Sequence, residues 1–156
     1  MGSSRREQGR RSNEILRKII LQRPFYMGER EVTNKAFKNF LASHSSGACK
    51  GQRLSADDHP VVQVTWEQAA LFCNWLSAKE SLPPVYIKKG GRLIAAEPIG
   101  TGYRLPTEAE WEYCARFKNN KADLKYPWGN QFPPTGSSGN YADTSTQKLL
   151  PAYIEN

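Results

Sequence analysis

The sequence predicts an α+β domain in which short helices and a hairpin are set among long loops. Apolar residues recur at helical spacing in three separate places, each opened by a Thr able to cap a helix. A glycine pair, Gly90-Gly91, lies between two short apolar runs, as in a β-hairpin. The 156 residues include 12 Gly and 10 Pro, too many for a helical bundle, while 11% aromatic residues is too many for a disordered chain. Strands do not alternate regularly with helices, so a parallel sheet is not expected.

The first apolar stretch, Ile15–Met27, is β-branched and bounded by polar residues, which predicts a strand or strand pair with Pro24 at an edge or bend. The first helix starts near Thr33, where Ala36, Phe37, Phe40 and Leu41 form an apolar stripe that Ser43–Gly47 ends. A polar loop follows from Ser45 to His59. Pro60-Val61-Val62-Gln63-Val64 then reads as a short buried strand leading into the second helix. That helix opens on a capping box, with Thr65 offered to the amide three residues on and Gln68 reaching back. Ala69, Phe72, Cys73 and Leu76 share one of its faces.

Between Ser81 and Tyr103 the expected hairpin carries Tyr86-Ile87 before its turn and Arg92-Leu93-Ile94 after it. The third helix repeats the capping box at Thr107–Glu110 behind Pro106, with Trp111, Cys114 and Ala115 as apolar positions. Glu108, Glu110 and Glu112 load its first turns with negative charge, where the helix dipole favours it. Beyond Arg116 the periodicity gives way to aromatic-proline-glycine loops at Tyr126-Pro127-Trp128-Gly129 and Phe132-Pro133-Pro134.

The net charge is +7, and it is concentrated at the front. Residues 1–30 hold eight Lys/Arg against three Glu, a local +5, while the rest is nearly neutral. A basic arm can bind phosphates, yet no aromatic residue interleaves the arginines from Arg5 to Arg17 and no recognition helix follows them. The simpler reading is a solvated polar segment, so nucleic acid is not an expected partner. No run of 18 apolar residues is present, so no membrane-spanning helix is expected. The first residues lack the apolar core and cleavage site of a secretory signal, which predicts a cytoplasmic location.

Cys49, Cys73 and Cys114 lie 24 and 41 residues apart, without a CxxC, and His44 and His59 are not at zinc-finger spacing. Cys73 and Cys114 fall on helices among apolar residues and are expected to be reduced and structural. Cys49, in a Gly-containing loop, is the expected exposed thiol. Nothing supports a Cys–His nucleophile built on either histidine.

The order of motifs is distinctive: Glu31-Val32-Thr33-Asn34; His59-Pro60-Val61 leading to Val64-Thr65-Trp66; Ala69 to Trp75; Arg104-Leu105-Pro106-Thr107-Glu108-Ala109-Glu110-Trp111-Glu112-Tyr113; and Tyr126-Pro127-Trp128-Gly129. It resembles the formylglycine-generating enzyme, or sulfatase-modifying factor, family, from Met1 to about Asp143. Arg104 and the glutamates around Trp111 suit an ion-pair network, and Trp66, Trp75, Trp111 and Trp128 suit loop anchors. These motif residues are expected to be architectural, with none of them catalytic.

The resemblance implies a loop-rich, elaborated C-type-lectin-like fold. It also implies that residues 1–156 are one partial domain with no second domain. Met1-Gly2-Ser3 matches an interior family turn, although an expression-tag remnant would also begin Met-Gly-Ser-Ser. The family's later segments are not found before Asn156, so truncation at the C-terminal side is expected. Best-known members oxidise a cysteine of a client sulfatase to formylglycine with O2, using a cysteine pair that holds copper(I). Soft thiolates suit that ion, but Cys49, Cys73 and Cys114 do not match the pair's positions. Copper is therefore expected only with thiols outside these residues. The alternative is a non-catalytic protein- or ligand-binding module, as in some bacterial members, with loops near Ser43–Asp58 and Ser81–Tyr103 as its contact surface. A client protein or peptide is the implied partner, and self-association of the partial domain is expected. Family members also hold structural calcium after a Tyr-Ala pair. Tyr141-Ala142-Asp143-Thr144 matches this, implying Asp143 as side-chain ligand and Thr144 as carbonyl ligand in a partial site.

Overall fold

The structure, a computed structural model, describes residues 2, 11–116, 124–131, 134 and 136. It is a mixed α+β chain with elements in the order α1 (Asn34–Lys38), β1 (Ala48–Cys49), β2 (Gln52–Arg53), α2 (Trp66–Lys79), β3 (Tyr86–Lys89), β4 (Arg92–Ala95) and α3 (Glu108–Arg116). The described chain falls into two compact units, residues 28–105 and a second made of residues 1–27 with 106–156.

The 28–105 unit is organised by α2. The Thr65 hydroxyl accepts from the Gln68 amide at 3.1 Å while the Gln68 side chain accepts from the Thr65 amide at 2.9 Å, so the expected capping box forms. One side of α2 buries Phe72 against an aromatic cluster. Phe37 lies 5.2 Å from Phe72 and 5.5 Å from Phe40, and Trp75 stacks on Phe72 at 5.7 Å. Another side buries Ala70 and Cys73 with Val85 and Tyr86, joined by the half-buried Leu93 and Leu105. The buried face is thus Ala70, Phe72, Cys73 and Ser77, shifted from the expected Ala69, Phe72, Cys73 and Leu76.

The hairpin forms where the glycines place it. β3 and β4 pair antiparallel with Lys89 opposite Arg92 and Ile87 opposite Ile94, and Gly90 and Gly91 make the turn with φ of 58° and 78°. Its root is fastened to α2 by Asn74. The amide nitrogen donates to Tyr86 O at 2.7 Å, and the amide oxygen accepts from the Val85 and Tyr86 backbone at 3.1 and 3.0 Å.

Other expectations are corrected. α1 is one short helix ending at Lys38, capped by Thr33. Pro60–Val64 is not a buried strand: Pro60 makes a single bridge to Thr33, and Gln63 turns to a φ of 59°, which breaks an extended run. The Ser45–His59 loop contains the two-residue strands β1 and β2.

In the other unit, no strand longer than a single bridge residue occurs between Ile15 and Met27 among the described residues. Ile15, Leu16, Ile19, Ile20 and Tyr26 are exposed there. An apolar β-branched run becomes a strand only when a partner supplies the ladder. α3 carries the second capping box, with the Thr107 amide donating to the Glu110 carboxylate at 2.8 Å and the Glu110 amide to the Thr107 hydroxyl at 3.2 Å. Its expected apolar positions are not buried: Trp111 is 62% exposed and Cys114 is exposed, while Glu110 is buried. The cap explains the inversion, because it folds the Glu110 side chain back onto the helix end.

Candidate functional site

The motif residues are used chiefly to tie loops. Asn34, fully buried, has an amide nitrogen that donates to the carbonyls of Leu54 at 2.9 Å, Ala56 at 2.8 Å and His59 at 3.2 Å. Two N–H groups serve three acceptors, so one hydrogen is shared. Its oxygen accepts from the buried Ser46 hydroxyl at 2.6 Å, and Ser46 in turn accepts from the Val62 amide at 3.0 Å. One side chain on a five-residue helix therefore fixes a loop that has almost no ladder of its own.

Ser77 performs a similar task at the end of α2. Its hydroxyl donates to Cys73 O at 3.0 Å and accepts the Tyr103 amide at 2.8 Å, while the Leu82 amide donates to Ser77 O at 2.8 Å. Gly102 is required here, since a Cβ on it would come within 2.1 Å of Pro83 O and 2.8 Å of Ser77 Oγ. The Tyr86 hydroxyl accepts the Leu105 amide at 3.0 Å, placing the start of the Arg104-Leu105-Pro106 motif on the core. Arg104 itself is half-buried and donates to Leu105 O at 3.2 Å.

In the unit containing α3, Arg116 bonds Glu112 at 2.6 Å and Leu124 O at 2.6 Å. Glu112 thus pairs with Arg116, whereas the expected network joins these glutamates to Arg104. Tyr126 and Trp128 stack at 4.9 Å with planes 3° apart, and the indole donates to Gln131 O at 3.0 Å, so Trp128 anchors its loop as expected. Trp66 and Trp111 are largely exposed and Trp75 is half-buried. An open cleft of about 850 Å³ lies between the extended segment Leu16–Met27 and α3, lined by Phe25, Met27 and Tyr113 together with Arg17, Arg116 and Cys114.

The three thiols differ sharply. Cys73 is buried, and burial pushes its thiol up to about 11, which keeps it protonated near neutral pH and a poor nucleophile. Cys49, on the small β1–β2 hairpin, is exposed as expected. Cys114, expected to be buried, is exposed on α3. His44 gives its ring to the aromatic cluster, 4.9 Å from Phe37, and its Nε2 lies 3.1 Å from Val62 O. Among the described residues no group of three or more His, Cys, Asp or Glu is gathered as for a metal ion. Asp143 and Thr144, the expected calcium ligands, lie outside the described residues. The roles of Asn34 and Ser77 as loop ties were missed from sequence, and only the position of Asn34 directly after a capping Thr hinted at its part.

These features define a loop-rich α+β module whose signature residues hold segments in place through buried polar contacts. The chain belongs to the FGE-sulfatase family, matching the sulfatase-modifying factor enzyme 1-like domain over residues 1–153. It is 32% identical over 120 residues to the chaperone protein LppX of Paenibacillus barcinonensis, covering 68% of this chain and 41% of that protein. It is 34% identical over 83 residues to the formylglycine-generating enzyme of Bos taurus, covering 53% of this chain and 15% of that protein. Over 100 residues it is 35% identical to the inactive C-alpha-formylglycine-generating enzyme 2 of Mus musculus, covering 64% of this chain and 22% of that protein. The chain thus spans less than half the length of each of these relatives. No solved structure matches it significantly.

Proposed function

We propose that residues 1–156 act as the scaffold portion of a formylglycine-generating-enzyme-like domain, with the C-type-lectin-like elaboration that the family resemblance implies. The observation that supports this is the use of its motif residues: the Asn34 amide nitrogen, the Thr107 hydroxyl and the Glu110 carboxylate each bond backbone groups. Where the whole protein oxidises a client cysteine to formylglycine with O2 and copper, the thiolate pair is other than Cys49, Cys73 and Cys114. The burial of Cys73, with its thiol pushed up in the metal-free chain, supports this. The purified chain is therefore expected neither to bind copper(I) stoichiometrically nor to convert a cysteine-containing sulfatase peptide, as followed by mass spectrometry. Formylglycine formation that disappears in Cys49→Ser or Cys114→Ser would overturn the proposal.

The second reading, a non-catalytic module that binds a client protein or other ligand, draws support from the relatives named as a chaperone and as an inactive enzyme. It predicts capture of a sulfatase-derived peptide without chemical change. The same proposal includes a structural calcium held by the Asp143 side chain and the Thr144 carbonyl. Calcium-dependent thermal stabilisation that persists in Asp143→Ala would count against it.

A further inference from the structure

We propose that one face of the β3–β4 hairpin docks an acidic, extended segment of another protein, with an apolar residue and a carboxylate two positions apart. The register places Ile87 directly opposite Ile94, and the next pair on the same face is Lys89 opposite Arg92. Ile87 is 42% exposed and Ile94 37%, so this apolar pair lies open to water. Like charges directly opposite each other destabilise a two-stranded ladder. Nothing between Val85 and Ala96 offsets them, since that stretch contains Lys88, Lys89 and Arg92 and no acidic residue. No ion pair neutralises these three side chains among the described residues. The free hairpin therefore carries two local costs, a partly exposed apolar pair and a cation pair with no ion-pair partner among the described residues, about 7 Å apart along the strand. One extended segment with Val or Ile at one position and Glu or Asp two positions on relieves both.

The chemistry favours a protein partner. Three cations fall short of the four to eight that mark binding to anionic lipid headgroups, and this face has no aromatic ring on which a nucleobase could stack. The proposal is independent of the oxidase reading above.

The test titrates the whole chain with an acetylated, amidated heptapeptide Val-Thr-Glu-Thr-Val-Thr-Glu, which puts Val and Glu two positions apart on one face, and with the same peptide carrying Lys for Glu. Saturable binding of the Glu peptide is expected, weakening as salt is raised, with backbone amide shifts confined to residues 86–95. Lys89→Glu with Arg92→Glu should weaken it by at least about tenfold, Ile94→Ser severalfold, and Lys89→Arg not at all. If the charge-reversed protein loses its native circular dichroism, Lys89→Gln with Arg92→Gln serves in its place. Equal binding of the Lys peptide, undiminished binding by the charge variants, no binding at millimolar peptide, or preference for phosphatidylserine vesicles would each overturn the proposal.

Discussion

Removing the Asn34 side chain should be among the most damaging single changes in the 28–105 unit. In Asn34→Ala the carbonyls of Leu54, Ala56 and His59 lose their shared donor, and the Ser46 hydroxyl loses its acceptor. Ala56 O keeps the His59 amide and His59 O keeps the Asn34 amide, so Leu54 O and the Ser46 hydroxyl bear the loss. At about 1–3 kcal/mol each, partly offset by water, the net loss is roughly 2–4 kcal/mol. Against a typical stability of about 5–15 kcal/mol, that is a substantial part of the total. The assay is urea unfolding followed by tryptophan fluorescence, where the midpoint should fall by roughly 2 M with little change in slope. Ser46→Ala, which breaks only one end of the network, should cost about 1–2 kcal/mol. The two losses should not add in the double variant, because the residues share a bond. Asn34→Asp keeps the shape but points oxygen at three carbonyls. Its introduced carboxyl is favoured in the protonated form, so its folded-state pKa is raised. The variant should be more stable below the carboxyl's unfolded pKa of about 3.9 and lose that stability as pH rises through the folded value. An Asn34→Ala loss under about 1 kcal/mol would refute the idea that this side chain holds the loop.

At pH 8, iodoacetamide should label Cys49 and Cys114 and spare Cys73 until denaturant is added, as read by peptide mass spectrometry, since Cys73 alone is buried with its thiol near 11. Gly102→Ala should destabilise by about 1–3 kcal/mol through its clash with Pro83 O. Gly91→Ala meets open space and should lose only about 1 kcal/mol from its positive φ, a contrast that thermal unfolding can test. The Tyr103 hydroxyl donates to Glu80 at 2.6 Å, and this bond raises the phenol above its usual range. Its contribution is present below the unfolded phenol value of about 10 and is lost as pH rises through the folded one. Absorbance at 295 nm should therefore titrate later than in Glu80→Gln.

Local chemistry was legible in the sequence and long-range pairing was not. Both capping boxes and the Gly90-Gly91 turn involve residues within a few positions of one another, so spacing alone defines them. Ile15–Met27 reads as a strand because its residues suit one, but a ladder also needs a neighbour, which residue type cannot supply. Gln63 broke the expected Pro60–Val64 strand by a left-handed turn that no glycine advertised. Trp111 lies outward where the apolar spacing placed it inward, while Glu110 is buried because the cap folds its side chain back. The buried role of Asn34 rests on partners 12 to 25 residues away, beyond any periodic pattern. The family was readable from ordered motifs, whereas the proposed calcium ligands Asp143 and Thr144 fall outside the described residues.

The double attachment at Ser77 has a consequence for how this chain can change. Leu82 and Tyr103, the two ends of a long excursion, are bonded to the same residue, and Val85 and Tyr86 root the hairpin in the core. Beyond that root and the core-packed Leu93, the residues from Lys88 to Arg92 form an exposed tip whose ends are already held together by the hairpin register. Its length and sequence can be rewritten by substitution, grafting or insertion without the frame having to close a new loop. The tip is thus the point at which this scaffold can acquire a new specificity at the least cost to its stability.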